Sequence, residues 1–341
     1  MTERKSENFL FNSDWRSISS LQRFCHQAMA ATFEVYIIHE YARYAQQAAR
    51  AAFDEVDRLE ADLSRFIENS DISRINNLPA GRPLQLGLST FECLQISTRM
   101  NAETKGAFDV TVGSLLSCWR DKDGTPRTPS QEQLSFARKH TGMHLLKLNE
   151  ADYTVELLAS PVQVDLGGIG KGYAVDRMAQ VLREWGINTT LISGGYSSIL
   201  ALDEPTGTKG WPITLSNPSN RNQTLARLCF CNRSLSASGV KKGRHIIDPR
   251  TAQPVTGKLA AWACAPDAAT SDALSTAFMV MSPQEIKQYC SRHPDVLGMV
   301  VPQDGDKEIK KDKILLFGPW KKNELLISRL SQVVRDKFSG A

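Results

Sequence analysis

Val164 to Asp176 reads VDLGGIGKGYAVD, with four glycines around one lysine and two aspartates. Backbone this bare, turning into a helix, suits phosphate, because N–H groups and a helix N-terminus both favour an anion. Neither common phosphate loop fits. A Walker A loop needs Ser or Thr after its lysine, and Lys171 is followed by Gly172; it also needs glycine where Asp165 stands. The dinucleotide fingerprint needs a third glycine where Tyr173 stands. The stretch is a candidate phosphate cradle of another design, with Asp165 at a strand end and Lys171 at a helix start. A tight strand-to-helix turn with solvated charges would use the same residues.

A second constellation is SDALST, which sets Asp272 and Thr276 four residues apart on one helical face. A carboxylate and a hydroxyl are hard oxygen ligands, suited to Mg²⁺ that keeps waters and phosphate oxygens as its other ligands. An aspartate in a first helical turn is also favoured by the helix dipole alone. HIIDP holds His245 and Asp248; at strand spacing His245 shares a face with Ile247, as a structural histidine would. AFDVT places Asp109 and Thr111 on one strand face, or forms a strand end with a turn-forming Asp.

These groups need elements to hold them. ATFEVYII (31–38) is rich in β-branched and aromatic residues and predicts a strand. Helical spacing predicts a helix from about Tyr41 to Leu63 and another from Gly172 to Trp185. Ser70 is an expected N-cap, and a helix runs from near Ser89 to Gly106. HLLKLN and YTVELL predict a hairpin leading into the glycine stretch, and TTLISGG the strand after its helix. WPITLS, LARLCFC, RHIID and AAWACA predict strands between 211 and 265. A helix with Ser271 as N-cap follows, then the strands VLGMVVP and KILLF. Helices and strands interleave without regular βαβ alternation, so the expected class is α+β. The expected organisation is an N-terminal arm (1–24), one domain (25–318) and a C-terminal amphipathic helix (319–341).

At 341 residues and 41% hydrophobic content, the chain can bury a sizeable core. A formal net charge of +4 is small for this length and argues against a dedicated nucleic-acid binder. The seven cysteines are odd in number and scattered, with no C-x-x-C, so neither a zinc site nor a disulfide framework is expected. No signal-peptide apolar run, lipid-anchor cysteine or membrane-length apolar segment is seen, so a cytoplasmic protein without membrane insertion is expected.

Taken in order, MAATF, LSRF with SDISRIN, GAFDVTVG, VDLGGIGKGYAVD, SGG, HIIDPRT and SDALST resemble the ApbE family of FAD:protein FMN transferases. The resemblance runs from about Met29 to Phe317. It implies a single α+β, T-fold-like domain that binds FAD as substrate with Mg²⁺ at its diphosphate. It also implies transfer of FMN to a Thr or Ser hydroxyl of an acceptor flavoprotein, with release of AMP. By the same resemblance Asp272, Thr276 and the Gly168 carbonyl hold the metal. Met29, Phe66, Ala107, Phe108, Asp109, Asp165, Lys171 and His245 contact the flavin nucleotide. His245 and Asp272 are the expected catalytic residues, the latter through the metal; a carboxylate is an alternative to His245 as acceptor of the hydroxyl proton.

Some positions depart from the family pattern. M-G-T has become MAAT, the tyrosine after L-S is Phe66, Tyr196 replaces an aspartate after the second glycine pair, and T-G-Q-P is TAQP. The segment between SASG and RHIID is short. An FAD-binding relative without transfer, and an FAD pyrophosphatase giving FMN and AMP, remain alternatives.

Overall fold

The computed structural model describes residues 20–121, 125–220, 222–240, 245–303, 314–321 and 325–327, the last three as backbone only. An eight-stranded, wholly antiparallel sheet forms the centre. Its order is β1 (Leu21–Ala28), β2 (Ala31–Ile38), β6 (Thr190–Gly194), β7 (Ser198–Ala201), β10 (Arg233–Gly239), β13 (Lys258–Ala265), β14 (Leu297–Pro302) and β15 (Leu315–Phe317).

Side chains alternate across this sheet, as a period of two requires. In β13, Ala261, Ala263 and Ala265 enter one core, while Ala260, Trp262 and Cys264 enter the other. Helices α1 (Ala42–Leu63), α6 (Gly170–Glu184) and α7 (Ala268–Val280) form the first core with the sheet. The alanines of β13 and the Ala- and Ser-rich α7 let helix and sheet approach closely. The second core lies under an antiparallel layer of β8 (Trp211–Ser216), β9 (Thr224–Phe230) and β16 (Leu325–Ile327).

Smaller elements frame one end. Helices α2 (Asp71–Asn76) and α3 (Leu88–Glu103) follow α1, and a small sheet has the order β3 (Pro83–Gln85), β5 (Thr154–Leu157), β4 (Leu146–Asn149). Helices α4 (Gly113–Trp119) and α5 (Gln131–Lys139) pack with the hairpin of β11 (Ile247–Asp248) and β12 (Gln253–Pro254). Helix α8 (Pro283–Arg292) starts from a capping box at Ser282 and Glu285. No helix of the described residues is long and apolar enough to cross a membrane. The seven cysteines are free thiols.

The α+β class, the two long helices and most strands agree with the sequence reading; several boundaries do not. Residues 21–24 belong to β1 rather than to an arm, paired in register with β2. Residues 107–112 form a turn, not a strand, because the Asp109 side chain captures the N–H of Thr111 two residues on. Helix α7 starts at Ala268, not after Ser271, because Asp267 caps it by accepting from Thr270 N at 2.7 Å. Leu325–Ile327, expected in the C-terminal helix, pairs as a strand with β9 and satisfies its edge; the rest of that segment from 328 lies outside the described residues.

Candidate active site

The glycine stretch is a turn tied down at both ends. Asp165 N donates to Val110 O at 2.7 Å, and Asp165 Oδ1 accepts from Gly167 N at 2.7 Å. Asp165 Oδ2 lies 3.2 Å from Arg65 Nε. The chain then enters α6, where a methyl group at Gly172 would collide with the Ala268 carbonyl and lie 2.7 Å from Asp272 Cβ. Only glycine lets α6 and α7 cross at backbone contact. At Gly168 the same methyl would meet Thr276 Oγ1 at 3.2 Å and the Phe108 ring at 3.3 Å.

This crossing delivers Asp272 to the turn. The residue is 3% exposed, and its Oδ2 accepts from Gly172 N at 3.0 Å. Lys171 Nζ lies 3.9 Å from that oxygen and donates to Gly167 O at 3.3 Å. Oδ1 accepts no hydrogen bond from the described residues. Thr276, one turn further along α7, lies beside Gly168, with its Oγ1 3.1 Å from Ser238 Oγ. Among the described residues no three His, Cys, Asp or Glu side chains cluster as a metal site. The Thr276 hydroxyl meets the Gly168 backbone, and Asp272, one turn away on α7, packs against Gly172 of the same stretch. A donor set of hard oxygens, short of a full shell, fits Mg²⁺ that takes its remaining ligands from water and phosphate.

The other expected residues fall around this crossing. Met29 and Ala30 form the two-residue turn of the β1–β2 hairpin, both left-handed at φ 51° and 52°. The next residue, Ala31, packs beside Gly195, which also contacts the Lys171 stem. Ala107 and Phe108 are buried, with the Phe108 ring against Gly168. Phe66 is 83% exposed, and the Arg65 guanidinium carbon sits 4.7 Å from its ring centroid.

Asp109 takes the turn-forming alternative of the sequence reading. Its Oδ1 accepts from Thr111 N at 2.7 Å and Thr111 Oγ1 at 2.5 Å. Its Oδ2 accepts from Met143 N at 3.1 Å and Asn101 Nδ2 at 3.2 Å. Burial raises its pKa against the pull of these bonds. Both oxygens are therefore engaged within the chain, in the turn that presents Phe108.

His245 is half-buried and leads into β11. The β11–β12 hairpin docks on the segment carrying Phe108: Arg250 Cγ would lie 3.7 Å from a methyl at Gly106, and Trp119 Nε1 donates to Ala252 O at 2.9 Å.

Three residues that support the site were not singled out in the sequence. Asp176, the second aspartate of the glycine stretch, caps α7 by accepting from Ala268 N at 2.8 Å and Ala269 N at 2.7 Å. Burial, with the neighbouring Asp267 charge, pushes its pKa up to about 7. Arg65 braces Asp165, and Ser238 holds Thr276. The local signals for these were the acidic end of the glycine stretch and, for Arg65, the LSRF motif as salt-bridge material.

The antiparallel sheet with its crossing helices is the fold of known flavin transferases. The flavinyl transferase ApbE of Pseudomonas stutzeri, in apo form, matches with a TM-score of 0.75 at 24% identity, over 87% of this chain and 93% of that one. In sequence, an FAD:protein FMN transferase of Klebsiella pneumoniae (strain 342) is 30% identical over 269 residues, covering 74% of this chain and 76% of the relative. The Escherichia coli (strain K12) protein of the same name is 29% identical over 271 residues, covering 73% and 76%. The model of the ApbE family matches residues 29–301, and the chain belongs to that family.

Proposed function

We propose that this chain transfers FMN from FAD to a Thr or Ser hydroxyl of an acceptor flavoprotein and releases AMP. The observation that carries this reading is the packing of Gly168 against Thr276 with Asp272 and Lys171 alongside. That arrangement suits a diphosphate. In the reaction the acceptor oxygen bonds to the FMN phosphorus, the bridging P–O bond breaks, and AMP leaves with the bridging oxygen.

Asp272, Thr276 and the Gly168 carbonyl would hold Mg²⁺, which when bound neutralises charge on the diphosphate. The chain's own part is positioning and electrostatics, which dominate phosphoryl-type transfer. Lys171 adds a fixed cation beside the carboxylate. The Gly172 N–H holds Asp272 through Oδ2 and leaves Oδ1 free for the cation. Met29 and Phe66 offer apolar and aromatic surface for the flavin, Phe108 backs the Gly168 turn, and Asp165 shapes it. His245 is the candidate acceptor of the hydroxyl proton.

Mass spectrometry of a candidate acceptor flavoprotein, incubated with the chain, FAD and Mg²⁺, tests this. An adduct of FMN less water supports transfer. Free FMN and AMP without an adduct would make the chain a pyrophosphatase, and intact FAD with saturable binding would make it a binding protein.

A further inference from the structure

Helix α7 and strand β10 meet through hydroxyls. Ser234, Ser236 and Ser238 occupy alternate positions of β10 and face the helix. Two separate groups result. Ser234 and Ser236 lie 2.6 and 2.7 Å from Ser271 Oγ. Ser238 bonds Ser275 at 2.9 Å and Thr276 at 3.1 Å.

With its three contacts formed together as hydrogen bonds, the second group has a single possible direction. A hydroxyl has one proton to donate. Ser275 Oγ donates its proton to the Asp272 carbonyl at 2.9 Å. It must therefore accept from Ser238. Ser238 has then spent its proton and must accept from Thr276. The Thr276 proton is drawn away from the glycine turn, and a lone pair of Oγ1 is left facing Gly168.

We propose that Ser238 is a positioning residue that fixes the Thr276 hydroxyl as a cation ligand. This rests on the reading of Asp272 and Thr276 as the metal pair. A neutral hydroxyl ligates only through a lone pair, so a rotor free to point its proton at the cation is a poorer ligand. The chain Thr276 to Ser238 to Ser275 to the Asp272 carbonyl removes that freedom. It also ends on the backbone of the other ligand residue, so both ligands are held by one device. Partners of this kind outside the ligand shell typically change metal affinity by about 10- to 100-fold when removed.

The test uses the full chain with FAD and no acceptor, and Mn²⁺ as the probe, with free Mn²⁺ read by electron paramagnetic resonance. Ser238→Ala is expected to weaken Mn²⁺ binding about 10-fold or more, and Ser238→Thr, which keeps the hydroxyl, to restore most of it. Ser236→Ala removes a strand hydroxyl that touches α7 in the group that does not reach Thr276. It is expected to lower the melting temperature and leave Mn²⁺ affinity unchanged. In the double variant, Ser238→Ala should add nothing to the loss caused by Thr276→Val. Losses that add in full, or equal effects of Ser236→Ala and Ser238→Ala on Mn²⁺, overturn the proposal. If Thr276→Val itself leaves Mn²⁺ binding unchanged, the metal pair is misassigned and this inference fails with it. Should Ser238→Ala not fold, Ser275→Ala cuts the same chain one link back and carries the same expectation at smaller size.

Discussion

The Gly172 N–H donates to Asp272 Oδ2 at 3.0 Å, joining two helices at residues a hundred positions apart in the chain. One bond thus satisfies a helix-start donor of α6 and orients a buried carboxylate of α7.

Gly172→Ala should break this relationship. The added methyl has no room between the Ala268 carbonyl and Asp272 Cβ. Overpacking of this kind costs about 1–3 kcal/mol. Gly170→Ala is the control, since its methyl would meet only Leu166 Cβ at 3.7 Å. Chemical denaturation and FAD titration of both variants should show a loss of stability and binding at Gly172 alone.

Asp272→Asn should keep the fold and lose Mg²⁺-dependent turnover. The amide oxygen can still accept from Gly172, so the stability change is expected to stay within about 1 kcal/mol. Asp272→Ala would orphan the Gly172 N–H, at about 1–3 kcal/mol. A melting curve and an FAD turnover assay with and without Mg²⁺, on the same preparations, separate the two contributions. Full activity of Asp272→Asn would remove this residue from the reaction.

Ala30→Gly should stabilise the protein. Ala30 is held at φ 52° in a turn that demands left-handed backbone at both central positions. Relief of the Cβ conflict, less the added chain entropy of glycine, is worth roughly 0.5–1 kcal/mol. A higher denaturation midpoint at unchanged slope is the expected result.

Asp176 gives the protein a pH dependence of definite sign. Its folded pKa of about 7 lies above the ordinary 3.8, so the folded state binds the proton more tightly than the unfolded one. Its contribution is fully present below the ordinary value and is lost as pH rises through about 7. Wild type should therefore lose stability relative to Asp176→Asn between those limits. Parallel melting curves across that window that stay a constant distance apart would contradict the assignment.

Legibility in the sequence followed the range of the interactions. The glycine turn and the Asp272–Thr276 spacing are local patterns and were readable as such. So were α1 and α6, whose apolar positions repeat at helical spacing. Asp176 was visible only as a charge, because its partners Ala268 and Ala269 lie 92 and 93 residues away. Strand β10 escaped notice because its helix-facing residues are serines, where an apolar alternation marks most strands. The start of α7 was misplaced because two cap-competent residues, Asp267 and Ser271, stand four apart, and only the folded chain shows which one accepts the helix N–H.

The contrast between Phe66 and Gly172 implies an order of events at the site. The α6–α7 crossing is locked by backbone contact, and few rearrangements are open to it. Phe66 leans on one guanidinium and is otherwise bathed in water. An incoming nucleotide should find its diphosphate berth already built and its aromatic wall still to be raised. Association would then begin at the charged end, and the ring would settle afterwards. Fluorine labelling of Phe66 would resolve that second step as a slower phase, independent of nucleotide concentration once the berth is full.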